Sequence, residues 1–372
     1  MSNHNLRWAF IHPFQLRLQR GIEVYLWELA SALAQSGVDV DILTWAGPLD
    51  VPAYVFPQVK VKRVPSVRYY QHWLAVPFYV WQLAKNHYDH VFVHFADYGE
   101  GPALNLAQRI TDVPFSVVFH FPLSLVPHRY RGFERWGFHK GAAHLIAVSQ
   151  AIADEVEKWS GRRSSVIGHG VNAERFKPDV ALRERTRHEL GISPDASVLI
   201  SVAVLEERKG MQWVIQAMPK VLEGKSDVHY WILGDGPYRA ALEEQVRKLN
   251  LQNKVSFWGF QRNVVPYLAA SDVALLLSYG EAFPVSLLEF AAAGLPVITS
   301  YHSPFPELVQ PEWGQMISEQ DVEQVSQAIV SLLFDIEART SRGLKARNYV
   351  IEQRPWLQVA KQYQGLIRAN GK

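Results

Sequence analysis

The stretch that most restricts the fold runs over residues 278–300, SYGEAFPVSLLEFAAAGLPVITS. It reads as the end of a strand, a loop, a buried helix, a glycine stop and a second strand. Pro284 suits the first helical position, where a missing N–H costs nothing. Gly294 ends the helix and Pro296 follows it. Leu287, Leu288, Phe290, Ala291 and Ala292 make the helix apolar nearly all round, so it belongs inside a core. Two carboxylates do not fit that burial: Glu281 in the loop before the helix, and Glu289 within it.

The first-turn amides of Val285, Ser286 and Leu287 have no intrahelical partners, and the helix dipole makes them attractive to phosphate. Glu289 lies four residues past Val285 on the same face, about 6 Å further along the axis. A phosphate at the helix start would place an attached ribose near Glu289, whose carboxylate can accept two hydroxyl donors. A second reading pairs Glu289 with a buried Arg or Lys and makes Glu281 the helix cap, because buried carboxylates are usually paired.

The same alternation recurs along the chain. Residues 8–11 read as a buried strand ended by His12 and Pro13. Gly21 opens a helix with apolar positions Ile22, Tyr25, Leu26, Leu29 and Leu33, and Gly37 stops it before a strand over 38–44. This order begins a Rossmann-like half. Residues 91–95, 115–119 and 145–148 read as further buried strands. His120 closes the middle one, at the carboxyl end where ligands collect in parallel sheets. His12, His94 and His169 also end strands, without an assigned role. Ser149 caps the next helix. In the second half, strands read at 198–202, 230–233, 255–258 and 273–277, with helices at 183–190, 322–334 and 336–352 and a last one from Pro355. Asp39 and Asp41 form an Asp-x-Asp pair at a strand entrance, where charged residues are usually solvated and a metal role is disfavoured.

A chain of 372 residues with 48% hydrophobic content can bury two cores. A net charge of +2 argues against nucleic acid as the main partner. Without cysteine, disulfides and thiolate metal sites are excluded. The first residues lack a signal-peptide layout, and no apolar run reaches the roughly 18 residues of a membrane span. The expectation is therefore a cytoplasmic protein, at most peripheral on the inner face of a plasma membrane. Two basic-aromatic clusters bear on that: Lys60, Lys62, Arg63, Arg68, Tyr69, Tyr70, His72 and Trp73, then Arg129, Tyr130, Arg131, Arg135 and Trp136. They suit an anionic lipid surface or a charged acceptor, or an ordinary solvated face.

Glu281 and Glu289, with Phe283-Pro284 between them and FAAAGLPVI after, resemble the Glu-x7-Glu signature of retaining glycosyltransferase family 4. Other motifs stand in that family's order. Arg20-Gly21-Ile22-Glu23 resembles its Gly-Gly-x-Glu loop, with Arg20 for the first Gly. His120 in Val-Val-Phe-His-Phe resembles its strand-end His. Residues 166–178 resemble its interdomain passage, with His169 and Asn172 for Asn and Asp. Residues 203–210 resemble its Gly-Arg-Leu-x-x-x-Lys-Gly, with Lys209 on the phosphate-binding Lys and the Arg missing near Val204. Gly234-Asp235-Gly236-Pro237 resembles its turn beside the nucleotide base. The resemblance covers nearly the whole chain, most closely over 198–309 and least over 49–88.

What the resemblance implies is an α/β GT-B fold: two Rossmann-like domains facing a central cleft. Residues 1–172, with a C-terminal helix over 355–372 crossing back, form the acceptor-side domain, and 173–354 bind the nucleotide sugar. It implies transfer, with retention, of a hexose from a UDP- or GDP-linked donor to a glycan or lipid-linked glycan, in polysaccharide assembly. By the same resemblance Glu289 holds the ribose and Glu281 the sugar. Lys209 and the helix start at Phe283, Pro284, Val285 and Ser286 hold the diphosphate, Gly234 and Gly236 the base, Gly21 the phosphate and His120 the sugar. Arg208 or Arg20 would supply the cation missing near Val204. No metal and no cofactor beyond the donor is implied. Another activity on the same scaffold, a sugar-phosphate synthase or phosphorylase, stays open, as does a catalytically weak nucleotide-sugar-binding partner.

Overall fold

Short apolar runs and amphipathic segments alternate from end to end, and each run becomes a parallel strand. The computed structural model describes residues 6–12, 21–45, 49–64, 76–94, 100–125, 138–318 and 321–369. Arg20, residues 65–73 of the first basic cluster and all of the second cluster lie outside them. The chain divides into two units, residues 1–170 with 356–372, and residues 171–355.

The first unit contains β1 (Arg7–His12), α1 (Gly21–Gln35), β2 (Asp39–Trp45), β3 (Lys60–Val64), α2 (Val76–Asn86), β4 (His90–His94), α3 (Glu100–Thr111), β5 (Phe115–Phe119), α4 (Phe138–Gly141), β6 (His144–Ala147), α5 (Gln150–Ser160) and β7 (Ser165–Val166). Its seven strands are parallel in the order β3-β2-β1-β4-β5-β6-β7. Central β1 and β4 are buried almost without interruption, as strands covered on both faces must be. Phe10 meets Phe92 edge-on at 5.7 Å across the β1–β4 register. The basic cluster begins as an edge strand, and its exposed charges discourage further pairing.

Asp39 is exposed as expected, but Asp41 is not. Its carboxylate lies inside, 2.7 Å from Lys62 Nζ and 3.0 Å from Arg7 Nη2, and accepts from the Tyr88 hydroxyl at 2.6 Å. Burial by itself would raise the Asp41 pKa. The Lys62 and Tyr88 hydrogen bonds and the two cations outweigh it and hold the group below its ordinary value. The second Asp of the pair is therefore a structural anchor between β2 and β3.

The second unit contains α6 (Val180–Glu189), β8 (Ser197–Val202), α7 (Met211–Gly224), β9 (Val228–Leu233), α8 (Arg239–Lys248), β10 (Val255–Gly259), α9 (Val265–Ala270), β11 (Val273–Leu276), α10 (Val285–Ala292), β12 (Val297–Ser300), α11 (Phe305–Leu308), β13 (Gly314–Ile317), α12 (Val322–Phe334) and α13 (Ile336–Gln353). Its six parallel strands run β10-β9-β8-β11-β12-β13. One core joins Leu199, Tyr230, Ile232, Leu275 and Ile298 of the sheet to Ile215 and Met218 of α7 and Ile329 of α12.

The last helix, α14 (Trp356–Ala369), belongs to the first unit and packs on α1. Tyr363 and Tyr25 share a hydrogen bond of 2.5 Å between their hydroxyls, both fully buried. Among the described residues no helix is long and apolar enough to cross a membrane.

Candidate active site

In an open parallel sheet, ligands gather outside the carboxyl ends of the strands where the strand order reverses. In the second unit that reversal lies between β8 and β11. The segment after β8 carries Arg208 and Lys209 in a 3-10 turn, and the segment after β11 carries Glu281. The two segments are pressed together at Gly210, whose φ is +75°. A Cβ there would stand 2.0 Å from the Leu277 carbonyl oxygen, so only glycine fits. The Tyr279 amide donates to the Arg208 carbonyl at 3.0 Å and fastens the second segment to the first.

This contact brings together side chains 72 positions apart. Lys209 Nζ donates to Glu281 Oε1 at 2.5 Å, with the two side chains only 12% and 10% exposed. Arg208 stands on the other side. Its Nη1 donates to the Gly280 carbonyl at 3.2 Å and lies 3.9 Å from Glu281 Oε2, while its Nε donates to Glu206 at 2.6 Å. The basic pair is therefore not a loose surface feature. Val204, where the family resemblance puts an Arg, is 41% exposed.

Four residues past Glu281, α10 begins. Pro284 takes the cap position with ψ of 106°, one residue ahead of the first helical position expected for it. Proline has no side-chain oxygen to cap with, and among the described residues no side chain caps this helix. The Val285 and Ser286 amides thus open the helix with the positive end of its dipole unopposed. The opposite end is closed. Gly294 turns the chain at φ +71°, and Arg347 Nη1 donates to the Ala292 carbonyl at 2.5 Å.

Glu289 faces a different environment from Glu281. Among the described residues it has neither a hydrogen bond nor an ion pair. Burial raises its carboxyl to about 7, against a smaller opposing effect from the Arg175 charge. The pairing considered for Glu289 falls on Glu281 instead, and Glu281 caps nothing. Phe283 is buried beneath the Arg354 guanidinium, 5.6 Å from its ring centre. Gly234 and Gly236 lie against the segment after β8: a Cβ would stand 1.8 Å from the Ala203 oxygen and 2.4 Å from the Leu205 oxygen. Their lack of side chains is explained by that packing.

In the first unit, Gly21 opens α1 and is exposed. His120 follows β5 and is buried, its Nε2 3.0 Å from Nδ1 of His94. His12, His94 and His169 lie close enough to act on its charge, and Tyr25 stands 4.7 Å from the His120 ring and 4.6 Å from that of His169. The sequence left this grouping unread. Its signal was present, since His12 and His94 end neighbouring strands and parallel strands share one carboxyl edge. Burial holds His94 and His120 well below the ordinary imidazole range, so both are neutral. Among the described residues no group of His, Asp and Glu is arranged to hold a metal ion.

The second unit thus offers a cation and bare amides for an anion, with carboxylates on either side for hydroxyl groups. Two family models match the chain. A model of glycosyl transferases group 1 matches residues 183–349, and a model of glycosyltransferase family 4 matches residues 19–175. An N-acetyl-alpha-D-glucosaminyl L-malate synthase of Bacillus anthracis is 33% identical over 190 residues, 51% of this chain and 49% of that protein. A GDP-mannose-dependent monoacylated alpha-(1-6)-phosphatidylinositol monomannoside mannosyltransferase of Corynebacterium glutamicum is 28% identical over 197 residues, 50% of this chain and 51% of that one. The chain spans about half the length of the curated relatives it matches. Among solved structures, Anabaena Alr3699/HepE in complex with UDP and glucose superposes with a TM-score of 0.82 at 19% identity, covering 98% of this chain and 100% of that one. Sucrose-phosphate synthase from Thermosynechococcus elongatus gives 0.82 at 21%, covering 98% of each chain.

Proposed function

Because the chain belongs to glycosyltransferase family 4 and has the GT-B fold, we propose that it transfers a hexose, with retention, from a UDP- or GDP-sugar to a glycan or lipid-linked glycan. The observation that carries this reading is the uncapped start of α10, with the Lys209–Glu281 pair before it and the unpaired Glu289 one turn along. In this reading the diphosphate rests on the Val285 and Ser286 amides and on Lys209. Glu289 accepts hydrogen bonds from the ribose hydroxyls and Glu281 from the sugar. The bond from the sugar's anomeric carbon to phosphate breaks while a bond to the acceptor oxygen forms on the same face, and the leaving phosphate takes the acceptor's proton. Lys209 and the amides stabilise the charge that develops on that phosphate, so no metal is required.

Gly21, Arg20 and His120 of the first unit keep the phosphate and sugar roles that the family resemblance gives them. Polysaccharide assembly, a cytoplasmic location and peripheral contact with an anionic membrane belong to the same proposal. In support, the HepE structure was obtained with UDP and glucose, and the Corynebacterium relative is GDP-mannose-dependent.

A thermal-shift panel of UDP-glucose, UDP-N-acetylglucosamine and GDP-mannose tests the donor. A matching donor at 100 times its dissociation constant adds about 2.7 kcal/mol of stability. Lys209→Ala and Glu289→Ala should each cut kcat/KM by about 100-fold or more while the protein stays folded, and EDTA should leave turnover unchanged. No shift with any nucleotide sugar, or full turnover in either variant, would sink the proposal.

A further inference from the structure

Of the four histidines at the carboxyl edge of the first sheet, only His120 has a role in the reading above. We propose that His94 is a positioning residue, fixing the His120 imidazole so that Nδ1 is the ring atom offered to a bound sugar. This rests on the reading of His120 as a sugar contact.

His94 ends β4, has no exposed surface, and sits at the reversal of strand order between β1 and β4. Phe10 stands edge-on to it at 4.9 Å, and Tyr25 lies 5.7 Å away. Tyr25 also stands edge-on to His120, and its hydroxyl is tied to Tyr363 of α14. Both imidazoles are therefore held against one rigid aromatic wall. His94 Nδ1 and His120 Nε2 share the 3.0 Å hydrogen bond. That bond places a single proton between two neutral rings, so it couples their tautomers and fixes the orientation of each. Among the described residues, His120 Nδ1 is buried and finds no hydrogen-bond partner. A buried polar atom left unpaired is costly, and one at the ligand edge of a parallel sheet is satisfied by a hydroxyl that arrives there.

The test uses the geometry of amides. In His94→Asn the amide falls where Nδ1 stood and can still bond His120. In His94→Gln it falls where Nε2 stood and cannot, although the side chain is as large and as polar. His94→Leu removes the bond outright. The first readout is the His120 tautomer by imidazole nitrogen NMR, the signal being assigned by its loss in His120→Asn; this readout needs no turnover. The second is nucleotide release from UDP-glucose and GDP-mannose, with melting temperature as the control for folding. We expect one His120 tautomer in the wild type and in His94→Asn, and altered or mixed tautomers in His94→Gln and His94→Leu. We expect kcat to fall about tenfold in Gln and Leu, the size of one hydrogen bond, and to stay within about threefold in Asn, with Asn and Gln melting alike. Unchanged tautomer and turnover in Gln and Leu would overturn the inference alone, provided His120→Ala is impaired. Wild-type turnover in His120→Ala would remove the reading of His120 itself.

Discussion

Glu289 is a carboxyl whose titration can be followed in the folded protein. Its folded pKa of about 7 lies above the unfolded value near 4.3. The folded state therefore binds the proton more tightly, and its contribution to stability is full below about pH 4.3 and is lost as pH rises through about 7. The shift corresponds to about 4 kcal/mol. Glu289→Gln mimics the protonated form. It should melt near the wild type at pH 5 and clearly above it at pH 8, and melting curves at the two pH values check this. Equal curves at pH 8 would show that the carboxyl is not held high. The spacing of Glu281 and Glu289 was legible in the sequence, because one precedes and the other interrupts a single apolar helix. Which carboxylate is paired was not, because the partner, Lys209, is 72 positions away and reaches Glu281 only through the closeness of the β8 and β11 segments. The four histidines were unread for a similar reason, since each strand end looks solitary until the sheet aligns them.

Gly210 shows what an element can do that a side chain alone cannot. It ends the 3-10 turn and begins α7, and its close approach to the Leu277 carbonyl locates Lys209. Gly210→Ala combines a left-handed backbone with a clash against that carbonyl, and should cost about 2 kcal/mol or more. Denaturant unfolding would measure that loss, and nucleotide release should fall with it because Lys209 is displaced. A variant as stable as the wild type would remove the glycine from the argument. The order of strands and helices was legible from apolar periodicity and glycine stops, whereas helix starts were less so. α6 begins at Val180, ahead of the expected 183, because the Asp179 side chain accepts from the Leu182 amide and caps it. α10 begins after Pro284, because a proline φ is compatible with the cap as well as with the first helical turn. β3 was hidden by its lysines and arginine, which suit the edge of the sheet.

At the scale of the whole chain, the two parallel sheets followed from length and alternation, while the placing of α14 came only with the family resemblance. The two units also carry different titrating groups. In the first unit burial pushes His90 down to about 3 and holds His94, His120 and His144 low as well, with a further push on His144 from Arg162. A histidine that stays neutral when folded but takes a proton when unfolded gives stability that is full above about 6.5 and is lost as pH falls. In the second unit His229 is also lowered, by burial and Lys254 and against Asp227, but Glu289 works in the opposite direction over the same range. Moving from pH 7.5 to 5.5 should therefore destabilise residues 1–170 more than residues 171–355. Hydrogen exchange, corrected for the intrinsic pH dependence of the amide rate, resolves the two units peptide by peptide. Protection should fall first in β1, β4 and β5 and be kept in β8 and β11. Equal losses in both units, or an earlier loss in the second, would mean that the buried histidines of the first sheet do not govern its response to acid.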